Sequence, residues 1–275
     1  MDGLGIYEAI QQTIAFIRQQ TDFVPEVGIV LGSGLGPLAD EIETVASFSY
    51  ADLPHFPRST APGHEGRLIL GRLEGKNVLG YKGRVHYYEH YTAAEVVFPV
   101  RVGFYLGAKT FFLTSAAGGL NPNWQAGDLM LHLDYLNMAG ANPLKGPNDE
   151  RMGPRFPVMF DAYDPELNTL ARKVARAQDL NLREGVYVWF AGPAFASRAE
   201  LRMLRLLGAD AIGMSMVPEV IALRHLGARV LGLSTITDMA LPDSTHHATE
   251  QEVLEVAART GATFRKFVRG ILAAM

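Results

Sequence analysis

A ten-residue stretch near the N-terminus constrains the fold more than any other part of the chain. Residues 27–31 (Val-Gly-Ile-Val-Leu) are apolar and rich in β-branched side chains, which is typical of a buried strand. Gly-Ser-Gly-Leu-Gly follows at 32–36. Because glycine accepts left-handed backbone angles and close approach of a ligand, the N–H groups of such a turn can converge on an anion. The alternative is a tight turn with no ligand.

The glycine spacing in this turn excludes the common nucleotide-binding patterns. It is not G-x-G-x-x-G, no P-loop lysine follows it, and the acidic residue expected on a second strand is absent. A dinucleotide-dependent oxidoreductase is therefore disfavoured.

Composition narrows the classes of partner and compartment. The chain has 275 residues, 48% of them apolar and 20% charged, which predicts a globular protein with a substantial core. A formal net charge of −4 is too small to predict a nucleic-acid or membrane surface. The lack of cysteine excludes disulfides and thiolate chemistry. With no signal pattern and no membrane-spanning apolar run, we expect a cytoplasmic protein.

Helical and strand patterns alternate along the chain. Helices are predicted from residue 6 to 20, after the capping boxes or caps at 92, 164, 197 and 249, and after 217. The predicted strands are 27–31, 67–73, 77–81, 110–113, 129–136, 185–190, 211–213 and 229–237, of which 67–73 and 77–81 are expected to form a hairpin around Glu74-Gly75-Lys76. This alternation predicts one α/β domain over residues 1–275, with a largely parallel central sheet.

Candidate chemistry lies in the loops that follow the predicted strands, where sites of α/β sheets gather. His64, Arg84 and His86 stand in glycine-rich loops, from which long polar side chains can reach one anion. An arginine offers a rigid fork to phosphate oxygens. Taken alone, each of these residues is more often a structural or surface group. The paired His246 and His247 predict no metal site, because adjacent residues project poorly toward one ion and no carboxylate spacing supports them.

Several motifs in the same order resemble the trimeric purine nucleoside phosphorylases. The resemblance covers about residues 28–255, and its motifs are 32–36, 57–60 with 62–64, 83–88, 116–121, 146–151, 191–193 with Phe195, 208–210 and 213–220. It implies a single-domain nucleoside-phosphorylase fold, with a mixed central sheet flanked by helices, and assembly as a homotrimer or a dimer of trimers. It also implies phosphorolysis of purine (deoxy)ribonucleosides, with inorganic phosphate as cosubstrate and no cofactor.

The resemblance also assigns roles to individual residues. The implied phosphate ligands are Ser33, His64, Arg84, His86, the Ala116 amide and Ser215. The implied ribose contacts are Tyr88, Met214, Glu250 and His247. The implied base contacts are Ala117, Gly118, Phe195, Ala196, Ile212, Thr237 and Asp238, with Phe156 from a neighbouring subunit. Of these, Ser33, Arg84, His86 and Asp238 are the expected catalytic residues. No carboxylate pair is needed, because phosphate is both nucleophile and charge stabiliser at an oxocarbenium-like sugar.

Two departures from the family pattern concern the purine. Ala196 stands where 6-oxopurine-specific members have a glutamate, and Asp238 stands where they have an asparagine. Both lean toward the methylthioadenosine phosphorylases, which cleave a 6-aminopurine nucleoside. Glu250 aligns with a histidine that contacts the ribose 5′-hydroxyl, and nearby His247 is a substitute for it. We therefore expect a purine nucleoside phosphorylase with a tilt toward 6-aminopurine nucleosides.

Two alternatives stay open. In a methylthioadenosine phosphorylase, the 5′-thioether of the substrate needs apolar surroundings. The carboxylate of Glu250 is a poor neighbour for that group. A non-catalytic purine-binding module would tolerate damage to the set of Ser33, Arg84 and His86, which is intact here.

Overall fold

One nine-stranded sheet carries the structure. The computed structural model describes residues 5–32 and 34–275. The strands are β1 (Val27–Leu31), β2 (Glu43–Ser49), β3 (Arg67–Leu73), β4 (Lys76–Lys82), β5 (Thr110–Gly119), β6 (Leu129–Asn137), β7 (Leu182–Trp189), β8 (Ala211–Gly213) and β9 (Arg229–Met239). The helices are α1 (Ile6–Arg18), α2 (Ala93–Val96), α3 (Phe98–Leu106), α4 (Pro165–Ala177), α5 (Arg198–Leu206), α6 (Val217–His225) and α7 (Glu250–Ala273).

The sheet is mixed, in the order β2-β3-β4-β1-β5-β8-β7-β6-β9. β9 also pairs with β5, so that the last five strands of this order close into a ring. β1 pairs in parallel with β4 and β5, whereas β3 pairs antiparallel with β2 and β4. The expectation of a largely parallel sheet, based on alternation alone, is therefore wrong, and the mixed sheet implied by the resemblance is confirmed. One physical reason is the tight turn at Glu74-Gly75, where both residues have positive φ and force a hairpin.

The ends of several elements follow local sequence signals. Side chains of Thr92, Asp164, Ser197 and Thr249 accept hydrogen bonds from the first turns of α2, α4, α5 and α7, which confirms the predicted caps. The helix predicted after Thr92 is interrupted at Val97, because Pro99 cannot donate the next helical hydrogen bond.

Two differences in strand assignment arise from pairing between distant segments. β2 is an unpredicted edge strand whose side chains are mostly exposed, so it carries no apolar pattern. β5 continues to Gly119 where a loop was expected after Leu113, because its last residues pair with β9 and β8. This extension brings residues 115–118 to the wall of the cavity described below.

Helices cover both faces of the sheet. Side chains of α1, α3 and α6 pack with Val30 of β1, whereas side chains of α4 and α7 pack with its neighbour Ile29. Because adjacent strand residues face opposite sides, these are two separate cores. None of the described helices is long and apolar enough to cross a membrane.

Candidate active site

A cavity of about 480 Å³ opens where the C-terminal ends of β5, β8 and β9 meet. The structure brings sixteen of the predicted site residues to its wall: His64, Arg84, His86, Tyr88, Ala116, Ala117, Gly118, Phe195, Ala196, Ile212, Met214, Ser215, Thr237, Asp238, His247 and Glu250. Ser33 lies outside the described residues. Phe156 lies in the loop between β6 and α4, away from this wall, with 86% of its surface exposed.

The glycine turn before the cavity is dictated by close packing. The Gly32 amide donates to Thr114 Oγ1 at 2.9 Å, and a Cβ at Gly32 would lie 2.4 Å from the Thr114 carbonyl oxygen. Gly34 has φ +84°, and a Cβ there would lie 2.6 Å from the Ala257 carbonyl oxygen on α7. Only glycine allows the turn to pass between β5 and α7.

Arg84 is a buried cation held at one end of the cavity. Its Nη1 donates to the Thr114 carbonyl oxygen at 2.6 Å and lies 3.4 Å from Ser215 Oγ. Its Nη2 lies 3.0 Å from Glu219 Oε2, an ion pair whose angle is poor for a hydrogen bond, and both side chains are 4% exposed. The buried pair fixes the guanidinium, since neither charge can leave without exposing the other to an apolar surround.

His86 is oriented by a second buried carboxylate. Glu89 Oε1 accepts from the His86 amide at 2.7 Å and lies 2.8 Å from His86 Nδ1. Its other oxygen accepts from the Thr60 amide, the Thr60 hydroxyl and the Ala61 amide. Burial alone would raise the pKa of Glu89, but these donors outweigh it and lower the pKa to about 2. An ionised carboxylate only accepts, so His86 Nδ1 carries a proton and Nε2 is left for a ligand.

His64 supplies a neutral imidazole beside these charges. The Arg84 amide donates to His64 Nδ1 at 3.1 Å, which leaves the proton on Nε2. Burial, with the nearby charges of His86 and Arg84, lowers the pKa of His64 to about 3. The ring lies 4.9 Å from that of His86. An anion placed here therefore meets a neutral donor that does not need to titrate.

Ser215 reaches the same end through a strained connection. It lies between β8 and α6, and the next residue, Met216, is fully buried with φ +65°. A non-glycine residue in this region is uncommon and is held by its surroundings. The bend places Ser215 Oγ beside Arg84 at the start of α6.

The opposite end of the cavity is less constrained. Thr237 Oγ1 lies 3.3 Å from the Ala117 carbonyl oxygen and 3.2 Å from Asp238 Oδ1. Burial raises the pKa of Asp238, and the Thr237 hydrogen bond opposes the rise only in part. A Cβ at Gly118 would lie 3.2 Å from Asp238 Oδ2, so Gly118 leaves room for this carboxyl. Phe195 is 68% exposed at the rim.

Tyr88 stands between the two ends. Its ring stacks on His86 with centroids 4.8 Å apart. Burial and the nearby carboxylates Glu89 and Glu250 raise the pKa of Tyr88 to about 12, so its hydroxyl keeps its proton. Glu250 and His247 line the cavity from exposed positions at and before the first turn of α7.

The sequence patterns do not predict several residues of this site. Glu89 has a weak signal, as an acid three residues after a candidate histidine. Glu219 lies within the 213–220 motif, but it is 135 residues from Arg84 and nothing in the sequence pairs the two. Further residues line the cavity without having been predicted: Ser115, Phe190, Ser197, Arg198, Leu201, Gly213, Ala240, Ala248 and Val253. Over residues 5–32 and 34–275, no group of three or more His, Asp or Glu side chains is arranged to hold a metal ion.

Comparison with known proteins places this fold and site in a family. A model of the phosphorylase superfamily matches residues 26–273. Purine nucleoside phosphorylase 1 of Geobacillus stearothermophilus is 48% identical over 264 residues, which cover 96% of each chain. The chain belongs to the phosphorylase superfamily.

Solved structures agree with this placement. Schistosoma mansoni purine nucleoside phosphorylase in complex with adenosine superposes with a TM-score of 0.93 at 37% identity, covering 98% of this chain and 97% of that chain. The complex of the Schistosoma mansoni enzyme with inosine also gives 0.93, at 35% identity, over 98% and 96%. Within the superfamily, the chain belongs with the purine nucleoside phosphorylases and is an enzyme. The resemblance and the nucleoside-phosphorylase fold expected from it are confirmed.

Proposed function

We propose that the chain catalyses phosphorolysis of purine (deoxy)ribonucleosides to the purine base and pentose 1-phosphate, with inorganic phosphate as cosubstrate. The observation that carries this proposal is the convergence of Arg84, His64, His86 and Ser215 on the wall of a cavity that Asp238 also lines. The Arg84 cation, together with the donor groups of His64 and Ser215, suits a phosphate dianion. The family relationship supports the same reaction.

The reaction exchanges one bond at the sugar for another. A phosphate oxygen attacks C1′ while the C1′–N9 bond breaks and its electron pair passes to the purine. Arg84 holds the dianion against the positively charged sugar, so that proximity and charge stabilisation come from one group. Glu219 and Glu89 do not touch the reactants but hold Arg84 and His86 in place.

Asp238 is the proposed partner of the leaving purine. The purine must gain a hydrogen bond or a proton at N7 as the bond breaks, and a carboxylic acid can supply it. The raised pKa of Asp238, caused by burial, makes the protonated form more accessible. The ionised form can instead accept from a 6-amino group, whereas it would repel the O6 of a 6-oxopurine.

Ala196 supports a tilt toward 6-aminopurine nucleosides. A 6-oxopurine carries a proton on N1 and needs an acceptor there, which the methyl group of Ala196 cannot provide. A mismatched buried hydrogen bond costs about 1–3 kcal/mol, enough to reverse a preference of tenfold. Together with Asp238, this favours adenosine-type substrates.

The residues predicted to contact the ribose favour a substrate with a free 5′-hydroxyl. Glu250 and His247 are polar and line the cavity, and Tyr88 keeps its hydroxyl proton. A 5′-methylthio group would meet a carboxylate there instead of an apolar surface. Methylthioadenosine is therefore the second candidate substrate, favoured only by the chemistry of the base end.

We propose self-association as a homotrimer. Phe156, Val158 and Phe160 lie in one loop and are each more than 70% exposed. Large apolar side chains exposed together indicate an interaction surface. A second copy that covers this loop would place Phe156 at a neighbouring cavity, as the family resemblance implies.

Initial-rate assays with adenosine, inosine, guanosine and methylthioadenosine, each with and without inorganic phosphate, test this proposal. We expect phosphate-dependent release of base, with the highest kcat/KM for adenosine and a lower value for methylthioadenosine. Purine binding without phosphate-dependent turnover would support a non-catalytic module. A higher kcat/KM for inosine would contradict the base preference alone.

A further inference from the structure

A chain of buried polar side chains runs beneath the phosphate end of the cavity. Ser115 Oγ on β5 lies 2.8 Å from Ser234 Oγ on β9, and Ser234 Oγ lies 2.8 Å from His132 Nε2 on β6. His132 Nδ1 lies 3.2 Å from the hydroxyl of Tyr163. All four residues are buried, and Ser115 and Ser234 are register partners in the β5–β9 pairing. The mechanism above uses none of them.

The tautomer of His132 follows from the needs of Tyr163. Burial lowers the pKa of His132 to about 3, so the ring is neutral and has a single N–H. Among the described residues, His132 Nδ1 is the only hydrogen-bond partner of the buried Tyr163 hydroxyl. The Tyr163 proton therefore goes to Nδ1, because a buried hydroxyl proton without an acceptor is costly. This leaves the imidazole proton on Nε2, where it donates to Ser234.

The hydroxyl protons then all point toward the cavity. Ser234 accepts from His132, so its own proton goes to Ser115 Oγ at 2.8 Å in preference to the weak acceptor Met216 Sδ at 4.0 Å. Ser115 Oγ therefore accepts from Ser234, and its own proton is available to a partner other than Ser234. The opposite tautomer would reverse every donor in this chain.

Tyr187 connects the chain to the predicted phosphate ligand. Burial raises the pKa of Tyr187, and hydrogen bonds from Ser215 and Ser115 oppose that rise. The Tyr187 hydroxyl accepts from the Ser215 amide at 3.4 Å. The His132 ring also stacks on the Tyr187 ring, with centroids 4.8 Å apart and planes at 25°. His132 thus contacts Tyr187 directly, and Ser234 connects it to Ser115 on the cavity wall.

We propose that His132 is a positioning residue for the phosphate end of the site, acting through the hydroxyl chain on Ser115 at the cavity wall and through the stacked Tyr187 on Ser215. The proposal rests on the proposed function, since it takes Ser215 as a phosphate ligand. The fixed tautomer of His132 turns the Ser115 proton away from Ser234, and the stacked His132 ring holds Tyr187, whose hydroxyl accepts from the Ser215 amide. A purely structural histidine would affect folding without favouring one substrate over the other.

The first test replaces His132 with phenylalanine, which keeps a ring against Tyr187 and removes both nitrogens. We expect the KM for inorganic phosphate to rise by about fivefold or more, the size of one lost hydrogen bond, while the KM for nucleoside changes by less than about twofold. His132→Gln retains an N–H donor toward Ser234 and is expected to restore most of the phosphate affinity. An equal rise in both KM values would overturn the proposal.

A second pair of variants keeps the test valid if His132→Phe does not fold. Ser234→Ala breaks the chain at its middle and is expected to raise the phosphate KM selectively. Thr13→Val is the matched control, because it removes a buried hydroxyl on α1 that bonds the carbonyl oxygens of Ala9 and Pro54, outside the cavity wall. If Ser234→Ala and Thr13→Val leave the phosphate KM equally unchanged, His132 has no positioning role.

Calorimetric titration separates this proposal from the proposed function. Inorganic phosphate is titrated into the wild type and into Ser234→Ala without nucleoside. Weaker binding by Ser234→Ala supports the hydroxyl chain even if wild-type turnover were absent, which would contradict only the phosphorylase reaction. Equal binding by the two proteins contradicts the hydroxyl chain.

Discussion

The two ends of the cavity are built differently. At the phosphate end, Arg84 and His86 are buried and each is paired with a buried carboxylate, from the distant Glu219 and the nearby Glu89 respectively. At the base end, the Thr237 hydroxyl is the only side-chain partner of Asp238 within residues 5–32 and 34–275, and Phe195 is largely exposed. A desolvated charge is tolerated only with a fixed partner, whereas a flat purine needs a surface and a few polar contacts.

This difference explains where substrate preference is free to change. Replacing Arg84 leaves Glu219 as an uncompensated buried charge, so the phosphate end is tied to the stability of the fold. Replacing Ala196 or Asp238 disturbs no buried ion pair. We therefore expect substitutions at the phosphate end to reduce activity with every substrate, and those at the base end to change the choice of substrate.

The largest effect is expected for Arg84→Ala. It removes the charge that faces the dianion, which costs on the order of 3 kcal/mol of transition-state stabilisation, roughly a hundredfold in kcat/KM for phosphate. Initial rates at low phosphate measure it. Arg84→Ala with Glu219→Gln should recover stability to urea without recovering activity, because it removes the unpaired buried charge only. Near-normal turnover of Arg84→Ala at low phosphate would contradict the assignment.

The next effect concerns Glu89→Gln, which places an amide N–H₂ against donors that need an acceptor. We expect about a thirtyfold loss of kcat/KM for phosphate, the size of a lost hydrogen bond to a charged group. Glu95→Gln, in the capping box of α2 and outside the cavity wall, is the control and should stay within about twofold.

The lowered pKa of Glu89 also predicts a pH dependence of the free energy of unfolding. Its pKa is about 2 in the folded protein against an ordinary value of 4.5, so its contribution is present above pH 4.5 and is lost as the pH falls toward 2. Urea unfolding at pH 6, 4 and 3 should therefore show a smaller acid loss of stability for Glu89→Gln than for the wild type. Equal losses would mean that Glu89 is not held ionised by its donors.

A smaller change, confined to the base, is expected for Asp238→Asn. The amide can donate to O6 and no longer repels it, so the ratio of inosine to adenosine kcat/KM should rise by at least about tenfold. Adding Ala196→Glu supplies an acceptor for the N1 proton and should raise the ratio further. The phosphate KM of both variants serves as the internal control. A wild type that prefers inosine, with an unchanged ratio in Asp238→Asn, would contradict the role of Asp238.

The smallest effect is expected for Phe156→Ala. If this side chain closes a neighbour's cavity, its loss should raise the nucleoside KM about fivefold, typical of one apolar contact at an interface, and leave folding intact. Mixing it with Ser33→Ala subunits should restore part of the activity in mixed trimers. Sedimentation provides the independent check, since a fully active monomer would exclude a shared site.

Local features of the fold were predictable from the sequence. The caps at Thr92, Asp164, Ser197 and Thr249 involve residues only two or three positions apart, so their pattern is visible in the chain itself. The apolar run of β1 is equally local. Most residues of the cavity were also named, but through the resemblance to a family, because isolated histidines and serines carry no signal of their own.

Pairings between distant segments were decided only by the tertiary structure. Beyond the local β3–β4 hairpin, the sheet is mixed because β8 and β6 pair antiparallel with the distant β5 and β9, and β2 is an exposed edge whose pattern predicts nothing. Glu219 reaches Arg84 across 135 residues, and His132 reaches Ser234 across 102. Such contacts produce no periodic pattern in the sequence. A polar side chain becomes buried and paired only when the folded sheet brings its partner close to it.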